Sequence, residues 1–458
     1  MIENDAFKLL LINLFHLNPN DITNIVCTTF NKMMVLLVTL ADKHQACPYC
    51  GFTAPKIKEY VTKEITHSAL TTQKCIIKYR ARRYKCPCCG KTYYEFNPFV
   101  FKSQKISILT VHNILKDLKD FNETFTSVAR RYHVSPTSVS TIFDNHVDIG
   151  RNPLPEIINF DEVYAFKSEK SKYVCVLLDF KKQIPVDVLP NRKKEYLLNY
   201  FQKIPLEERK KVKYACSDMY EVYRDVVHKV FPCSCMLLDY FHLSQDFHRK
   251  MNEVRIKVMK GYKDDKASDE YYLLKKFNWL LFKNPEDEDK YGRLFDVERE
   301  RKYNSHFKSY MNYYDLRRKL LEINNDLTIC YSLKLELVDF YSKSTIDNAQ
   351  VNLEHLIRSF IDTNIEEMIK FSNNLINWKQ EIINSFTIVG TEYKVEADKG
   401  QVVVCNKKVN NAIIENRNKI IKCIKNNANG YTNWSRFRNR VMYVLDPNTT
   451  FSLEPREK

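Results

Sequence analysis

Two sets of residues in this sequence have the types and spacing to do chemistry. The first is sulfur. Of 14 cysteines, four form two matched hooks, CPYCG from Cys47 and CPCCG from Cys86. Two Cys-x-x-Cys knuckles converge their thiolates on one tetrahedral ion, and the glycine closing each (Gly51, Gly90) tolerates the turn that points amides at sulfur. The expectation is a structural Zn²⁺ on Cys47, Cys50, Cys86 and Cys89. Cys88 can stand in for either neighbour, although the repeated spacing favours the outer pair. Redox-active thiols are the competing reading, and a two-hook spacing argues against them.

The second set is carboxylate. From Pro155 to Phe180 the chain reads PEIINFDEVYAFKSEKSKYVCVLLDF: a short strand ending in Asp161, a polar hairpin loop, then a nearly continuous apolar strand. That second run is too apolar for an exposed edge, so it belongs to a covered sheet. Asp161 is thereby held on a rigid element, as a metal-binding carboxylate requires. A third strand is expected over Ile184 to Leu189 and a helix over Lys194 to Ile204. Val212 to Asp218 is another apolar strand ending in an aspartate. A helix over Tyr220 to Val230 follows, then a strand from Ser234 to Asp239 running into His242. Three strands, helix, strand, helix, strand is the order of a ribonuclease-H-like sheet. There the first and fourth strands are neighbours, which sets Asp161 beside Asp218 for two-metal phosphoryl transfer. Glu162 should point to the opposite face of the sheet. Asp239 and His242 either tune this centre or pack the end of a strand.

The elements that must position these groups fill 458 residues, enough for several domains with real cores. The formal net charge of +16 suits a polyanionic partner, nucleic acid being the commonest, against the plainer alternative of solvated lysines. Most other cysteines lie singly in apolar runs, which fits a reducing cytosol. The start MIENDAFKLLLINLF has no basic leader or small-residue cleavage site, and the longest apolar run, Met33 to Leu40, is too short for a bilayer. A soluble intracellular protein is expected.

In chain order, residues 1–45 read as a packing segment with a helix and the Met33–Leu40 strand. Residues 46–98 read as a zinc ribbon whose central hairpin ends in the basic run Lys78 to Lys85. Arg82 and Arg83 there either track phosphates or face solvent. Residues 104–150 read as a helix-turn-helix or an ordinary capped helical hairpin. Arg130 and Arg131 close its first helix, Ser135 caps the second with Pro136 at the first position, and Thr137, Ser138, Ser140 and Thr141 face outward for bases or phosphates. The proline-rich Arg151–Glu156 stretch should separate this head from a core over 155–250. An α-helical insertion is expected over 251–388, its Trp279 either a core residue or a stacking platform. The core should finish over 389–458 with an amphipathic helix, Ile413, Ile414, Ile421 and Ile424 inward and Glu415 near its start. Its outer surface is basic, with Arg417 and Lys422 as candidate DNA contacts.

These pieces together resemble insertion-sequence transposases with a DDE catalytic core, of the ISL-three family. The resemblance rests on NFDE at Asn159–Glu162, CSDMYEVY from Cys216, the aspartate-x-x-histidine of Asp239–His242, and NNAIIENRNKIIK followed by the glycine–tyrosine tail at Gly430 and Tyr431. It implies that Asp161, Asp218 and Glu415 form the catalytic triad on two Mg²⁺ ions, with Mn²⁺ as a substitute. It implies Asp239 and His242 in support, binding of terminal inverted repeats and target DNA, and action as a dimer or larger assembly in the bacterial cytoplasm at the nucleoid. Where the family usually has glycine after the glutamate, this chain has Asn416. A DNA-binding protein with a silent nuclease fold, or a nuclease that cuts without joining, are the alternatives.

Overall fold

The computed structural model describes every residue except 1, 44, 69, 71, 102–103, 167–170, 396–401 and 457–458. The polar loop expected inside the central hairpin falls largely on 167–170, outside the described residues.

The chain opens with α1 (Ile2–Leu14) and a five-stranded sheet: β1 (Ile22–Phe30), β2 (Met33–Leu40), β3 (Lys56–Thr66), β4 (Cys75–Lys85) and the short β5 (Thr92–Tyr94). Strand order is β1-β2-β4-β3 with β5 on β4. The first 45 residues and the cysteine-bearing hairpin therefore share one sheet, because β2 runs parallel to β4 and pairs Leu36 with Ile77. Leu36, Ile77, Ile12 and Phe15 are buried between the sheet and α1. Strand β1 escaped the sequence reading because its turn is disguised. Asn31 and Lys32 both take positive φ, +49° and +60°, as a two-residue hairpin demands, but without the glycine that usually marks one.

Three helices follow: α2 (Ile108–Asp117), α3 (Phe125–Arg131) and α4 (Pro136–His146). Thr124 and Ser127 form a reciprocal capping box on α3, and Ser135 caps α4 with Pro136 in its first turn.

The central sheet comprises β6 (Ile157–Val163), β7 (Val174–Asp179), β8 (Pro185–Leu189), β9 (Tyr214–Ser217) and β10 (Cys235–Leu238), in the order β10-β9-β6-β7-β8. β7 is antiparallel to β6 and β8, while β9 runs parallel to both β6 and β10. Helices α5 (Lys194–Gln202), the short α6 (Leu206–Arg209) and α7 (Glu221–Val230) lie between β8 and β10 in sequence. Phe160 and Leu177 face Phe201 and Tyr223 of α5 and α7. Val163, Val176 and Val188 face the other way, into a core with the helical head. Both faces are covered, which is why β7 reads as an unbroken apolar run.

That second core corrects one expectation. The Arg151–Glu156 stretch does not hold the helical head apart. Phe143 and Val147 of the head are buried in the same cluster as Val176. Arg151 pairs bidentately with Glu208, and Asn152 bonds the Pro185 carbonyl and Asp446. Its two prolines stiffen an extended strap rather than loosen a hinge.

From α8 (Tyr240–Lys260) the chain enters a mostly helical unit of α9 (Asp269–Lys276), α10 (Tyr313–Glu322), α11 (Asn325–Lys343), α12 (Ala349–Ile361), α13 (Glu366–Asn377) and α14 (Lys379–Asn384). Two small hairpins, β11–β12 (Glu288–Asp289, Gly292–Arg293) and β13–β14 (Lys302–Asn304, Ser309–Met311), interrupt it. Trp279 packs edge-on against Tyr313 at the margin of this unit's core. A longer hairpin, β15 (Ile388–Val395) and β16 (Val402–Lys408), precedes α15 (Ala412–Asn427) and α16 (Trp434–Leu445). Among the described residues no helix is long and apolar enough to cross a membrane.

Candidate active site

The carboxylates are positioned by strand register. β6 and β9 align Ile157 with Tyr214 and Asn159 with Cys216, so the same register continued two residues sets Asp161 beside Asp218. β9 and β10 align Ser217 with Leu238, which sets Asp239 on the far side of Asp218. Three adjacent strands thus deliver three aspartates to one end of the sheet. Helix α15 closes the site. Ile414, Ile421 and Ile424 bury one face of it, and Asn418, on the same face, donates to Asp161 Oδ2 at 2.7 Å. Glu415 lies one turn earlier, and its carboxylate is within 4.8 Å of the ligand atoms of Asp239 and His242. The late glutamate therefore reaches Asp239 and His242, while Asp161 is met from the same helix by Asn418.

Asparagines that the sequence reading missed fasten this arrangement. Asn411 donates its backbone N–H to Asp239 Oδ1 at 3.2 Å, and its side-chain oxygen accepts from Asn159 at 2.7 Å. Asn411, Glu415 and Asn418 sit at helical spacing, a polar stripe interrupting an apolar face, and that interruption was the available signal. Glu162 points to the opposite face, where it pairs with Arg192 and accepts from Tyr223 at 3.2 Å. Asn416 is exposed on the outside of α15, so it does not enter the site.

The electrostatics are those of carboxylates crowded out of water. Burial pushes Asp161 up to about 7, with the charges of Glu162 and Asp218 adding. Burial likewise pushes Asp218 up to about 6. The hydrogen bond that His242 Nδ1 donates to Asp239 Oδ2 at 2.9 Å raises the imidazole to about 9, and the charges of Asp218 and Asp161 contribute. An imidazolium thus partly neutralises the cluster. Asp218 Oδ1 is buried with no hydrogen-bond partner, an acceptor that a cation would satisfy. Both oxygens of Asp239 are already bonded, to Asn411 and His242.

The sulfur site is separate. Cys47 Sγ lies 3.7 Å from Cys89 Sγ and Cys50 Sγ 3.5 Å from Cys86 Sγ, and all four lie within 4.8 Å of one another. A tetrahedral Zn²⁺ with bonds of about 2.3 Å spaces its sulfurs by about 3.8 Å. The two knuckles are copies: Gly51 N–H donates to Cys47 O and Gly90 N–H to Cys86 O, each at 2.9 Å, at φ +76° and +70°. Cys88 is exposed and outside the group.

The candidate DNA contacts divide. The Arg82 guanidinium grips Glu95 at 2.7 Å and the Leu40 carbonyl at 3.1 Å, and Arg131 pairs with Asp117 and Glu123, so both hold the fold together. Arg83 pairs with Glu59, and Arg417 donates to the Gln183 carbonyl. Arg130, Thr137, Thr141 and Lys422 are exposed, with Ser138 and Ser140 half-buried beside them on α4.

The structure thus combines a mixed α/β sheet with acids gathered at one end and, apart from it, a four-cysteine group. The chain belongs to the ISL-three (ISL3) family of DDE transposases, whose sequence model, described as transposase, matches residues 158–397, just over half of it. It is also similar to the transposase for insertion sequence element IS1001 of Bordetella parapertussis, at 20% identity over 409 residues, covering 89% of this chain and 90% of that protein. Asp161, Asp218, Asp239 and His242 lie inside the family match. Glu415 lies beyond it, and the geometry sets its carboxylate beside Asp239 and His242.

Proposed function

We propose that this transposase binds the terminal inverted repeats of an insertion sequence and carries out Mg²⁺-dependent strand cleavage and strand transfer at Asp161, Asp218 and Glu415. The observation that supports the reading is the docking of α15, whose Glu415 lies within 4.8 Å of the ligand atoms of Asp239 and His242 and whose Asn418 bonds Asp161. The strand order, with two parallel strands beside an antiparallel trio, supports a ribonuclease-H-like core. Residues 104–150 would serve as the helix-turn-helix head, with the four-cysteine ribbon of 46–98, holding Zn²⁺, adding phosphate contacts. Joining two element ends calls for at least a dimer on DNA, in the bacterial cytoplasm.

Within this reading each residue has a distinct task. Asp161, Asp218 and Glu415 offer hard oxygens suited to Mg²⁺, and Mn²⁺ can replace it. Ions held by these carboxylates would supply Lewis acidity toward the attacking and the leaving oxygen. Asn418 fixes the Asp161 carboxylate, and Asn411 and His242 fix Asp239. Asp239 acts as the orienting partner of His242, since both its oxygens are engaged. Exposed Arg130, Thr137, Thr141 and Lys422, with half-buried Ser138, Ser140 and Arg417, are the proposed DNA-facing groups. Arg82, Arg83 and Arg131 are so engaged internally that we assign them to structure instead.

The test is a cleavage assay on a duplex ending in the inverted repeats that flank the gene. Wild type should nick and join with Mg²⁺ or Mn²⁺, while Asp161→Asn should bind equally and do neither. If both bind alike and neither cuts, the chain is a DNA-binding protein with a silent core. Cutting without joined products makes it a nuclease.

A further inference from the structure

Helix α8 leaves the site carrying more than His242. Gln245, Asp246 and Arg249 follow at helical spacing on the same face. With Asp218, Met219 and His242 they line a cavity of about 290 Å³ that opens directly beside the carboxylates. Its size is at the lower edge of pockets that seat small organic groups, about 300 Å³. Its lining is graded. Asp218 and His242 mark the reacting end, Met219 offers a polarizable apolar wall, Gln245 an exposed amide, and Arg249 a guanidinium at the mouth.

The far end is anchored. Asp246 is 5% exposed at its side chain, pairs with Arg249, and accepts from Asn374 of α13 at 2.7 Å. Arg249 itself is 69% exposed at its side chain. It is thus held at the entrance by one carboxylate while its remaining donors face solvent. A planar fork with free N–H groups matches a phosphate bidentately.

We propose that this cavity seats the DNA nucleotide next to the scissile phosphate, with Arg249 clamping that nucleotide's phosphate and Gln245 contacting its base or sugar. The proposal rests on the catalytic reading above and extends it to substrate positioning. The mobile-element end enters between Asp218 and α8, and the helical unit sets the width of the entrance through Asn374. Arg249 need not leave Asp246 completely, because the guanidinium has five donors.

The experiment uses the full-length protein and the inverted-repeat duplex. Arg249→Gln should slow cleavage by about tenfold or more, as expected when a positioning contact is lost. Measured with Ca²⁺ in place of Mg²⁺, its DNA binding should show a salt dependence shallower by about one unit of slope, the signature of one lost phosphate contact. Arg249→Lys should recover part of both effects, and Gln245→Ala should lower kcat with the salt slope unchanged. The Mn²⁺-induced rise in melting temperature should be the same for Arg249→Gln and wild type. A wild type that cuts while Arg249→Gln cuts equally well overturns this proposal alone. An Arg249→Gln that loses the Mn²⁺ effect also overturns it, since the residue would then act through the metal centre's structure. A wild type that never cuts overturns the catalytic reading and this proposal with it.

Discussion

The molecule contains two metal-competent centres assembled by opposite strategies. The four cysteines sit on two self-contained turns, each closed by its own glycine and its own backbone hydrogen bond, and the single β3–β4 hairpin between them brings the two turns together. The carboxylate centre has no such local unit. Asp161, Asp218 and Asp239 arrive on three strands, and Glu415 on a helix that follows the helical unit and a hairpin. The sulfur site belongs to a small sheet that a metal would complete, whereas the acid site is imposed by an existing fold on groups that repel one another. One centre should therefore gain its stability from the ion, and the other should lose stability to chemistry.

The largest effect expected from that contrast is on the head. Stripping Zn²⁺ with a strong chelator, or replacing Cys47 and Cys86 by serine, should unfold the ribbon, since structural zinc is worth on the order of 10 kcal/mol. Limited proteolysis should then cut within 46–98 while the central sheet stays protected. Equal protection of both regions would break the comparison.

Next comes the chemistry. Asp218→Asn and Glu415→Gln should each lower strand cleavage by on the order of 10²–10³-fold, the size of a lost electrostatic stabiliser, with DNA affinity unchanged. A Glu415→Gln protein that cuts normally would remove the late acid from the centre.

The pH dependence of stability sharpens the comparison further. Asp161 and Asp218 hold their protons more tightly when folded, at about 7 and about 6 against 3.8, so their contribution is lost as pH rises through that window. His242, raised to about 9 from 6.5, contributes below 6.5 and loses that contribution as pH rises toward 9. All three shifts have the same sign. Metal-free protein should melt progressively lower between pH 5 and 9 (on the order of the cited shifts), and Mg²⁺ should flatten the profile. Asp161→Asn should melt higher than wild type at pH 8, by about 2–4 °C per kcal/mol of relieved repulsion.

Smaller effects fall on α15. Asn418→Ala removes the donor to Asp161 and should cost about 1 kcal/mol of stability, with cleavage reduced by less than the triad substitutions. Asn416→Gly should leave cleavage within about twofold, because the residue faces solvent, and should cost only about 0.3 kcal/mol in helix propensity.

What the sequence revealed follows the same division. The cysteine hooks were legible outright, since each knuckle is local and one hairpin joins the two. The order of strands and helices across 155–250 was legible too, because an apolar run such as Val174–Leu178 belongs only to a doubly covered strand. The fusion of helical head and sheet was not, because it depends on which face of β7 meets Phe143 and Phe437. Nor were Asn159, Asn411 and Asn418, whose polarity has meaning only once α15 is seen lying on β6. Strand β1 was missed for a local reason, an Asn-Lys turn doing what Asn-Gly ordinarily does.

The account turns on three acids sharing metal. Crystals of the protein with an inverted-repeat DNA end and Mn²⁺, measured at the manganese absorption edge, test this most directly. The account predicts anomalous density between Asp161, Asp218 and Glu415, with Asp239 and His242 alongside. Density confined to the four cysteines, or bound ions that leave Glu415 uncoordinated, would contradict it.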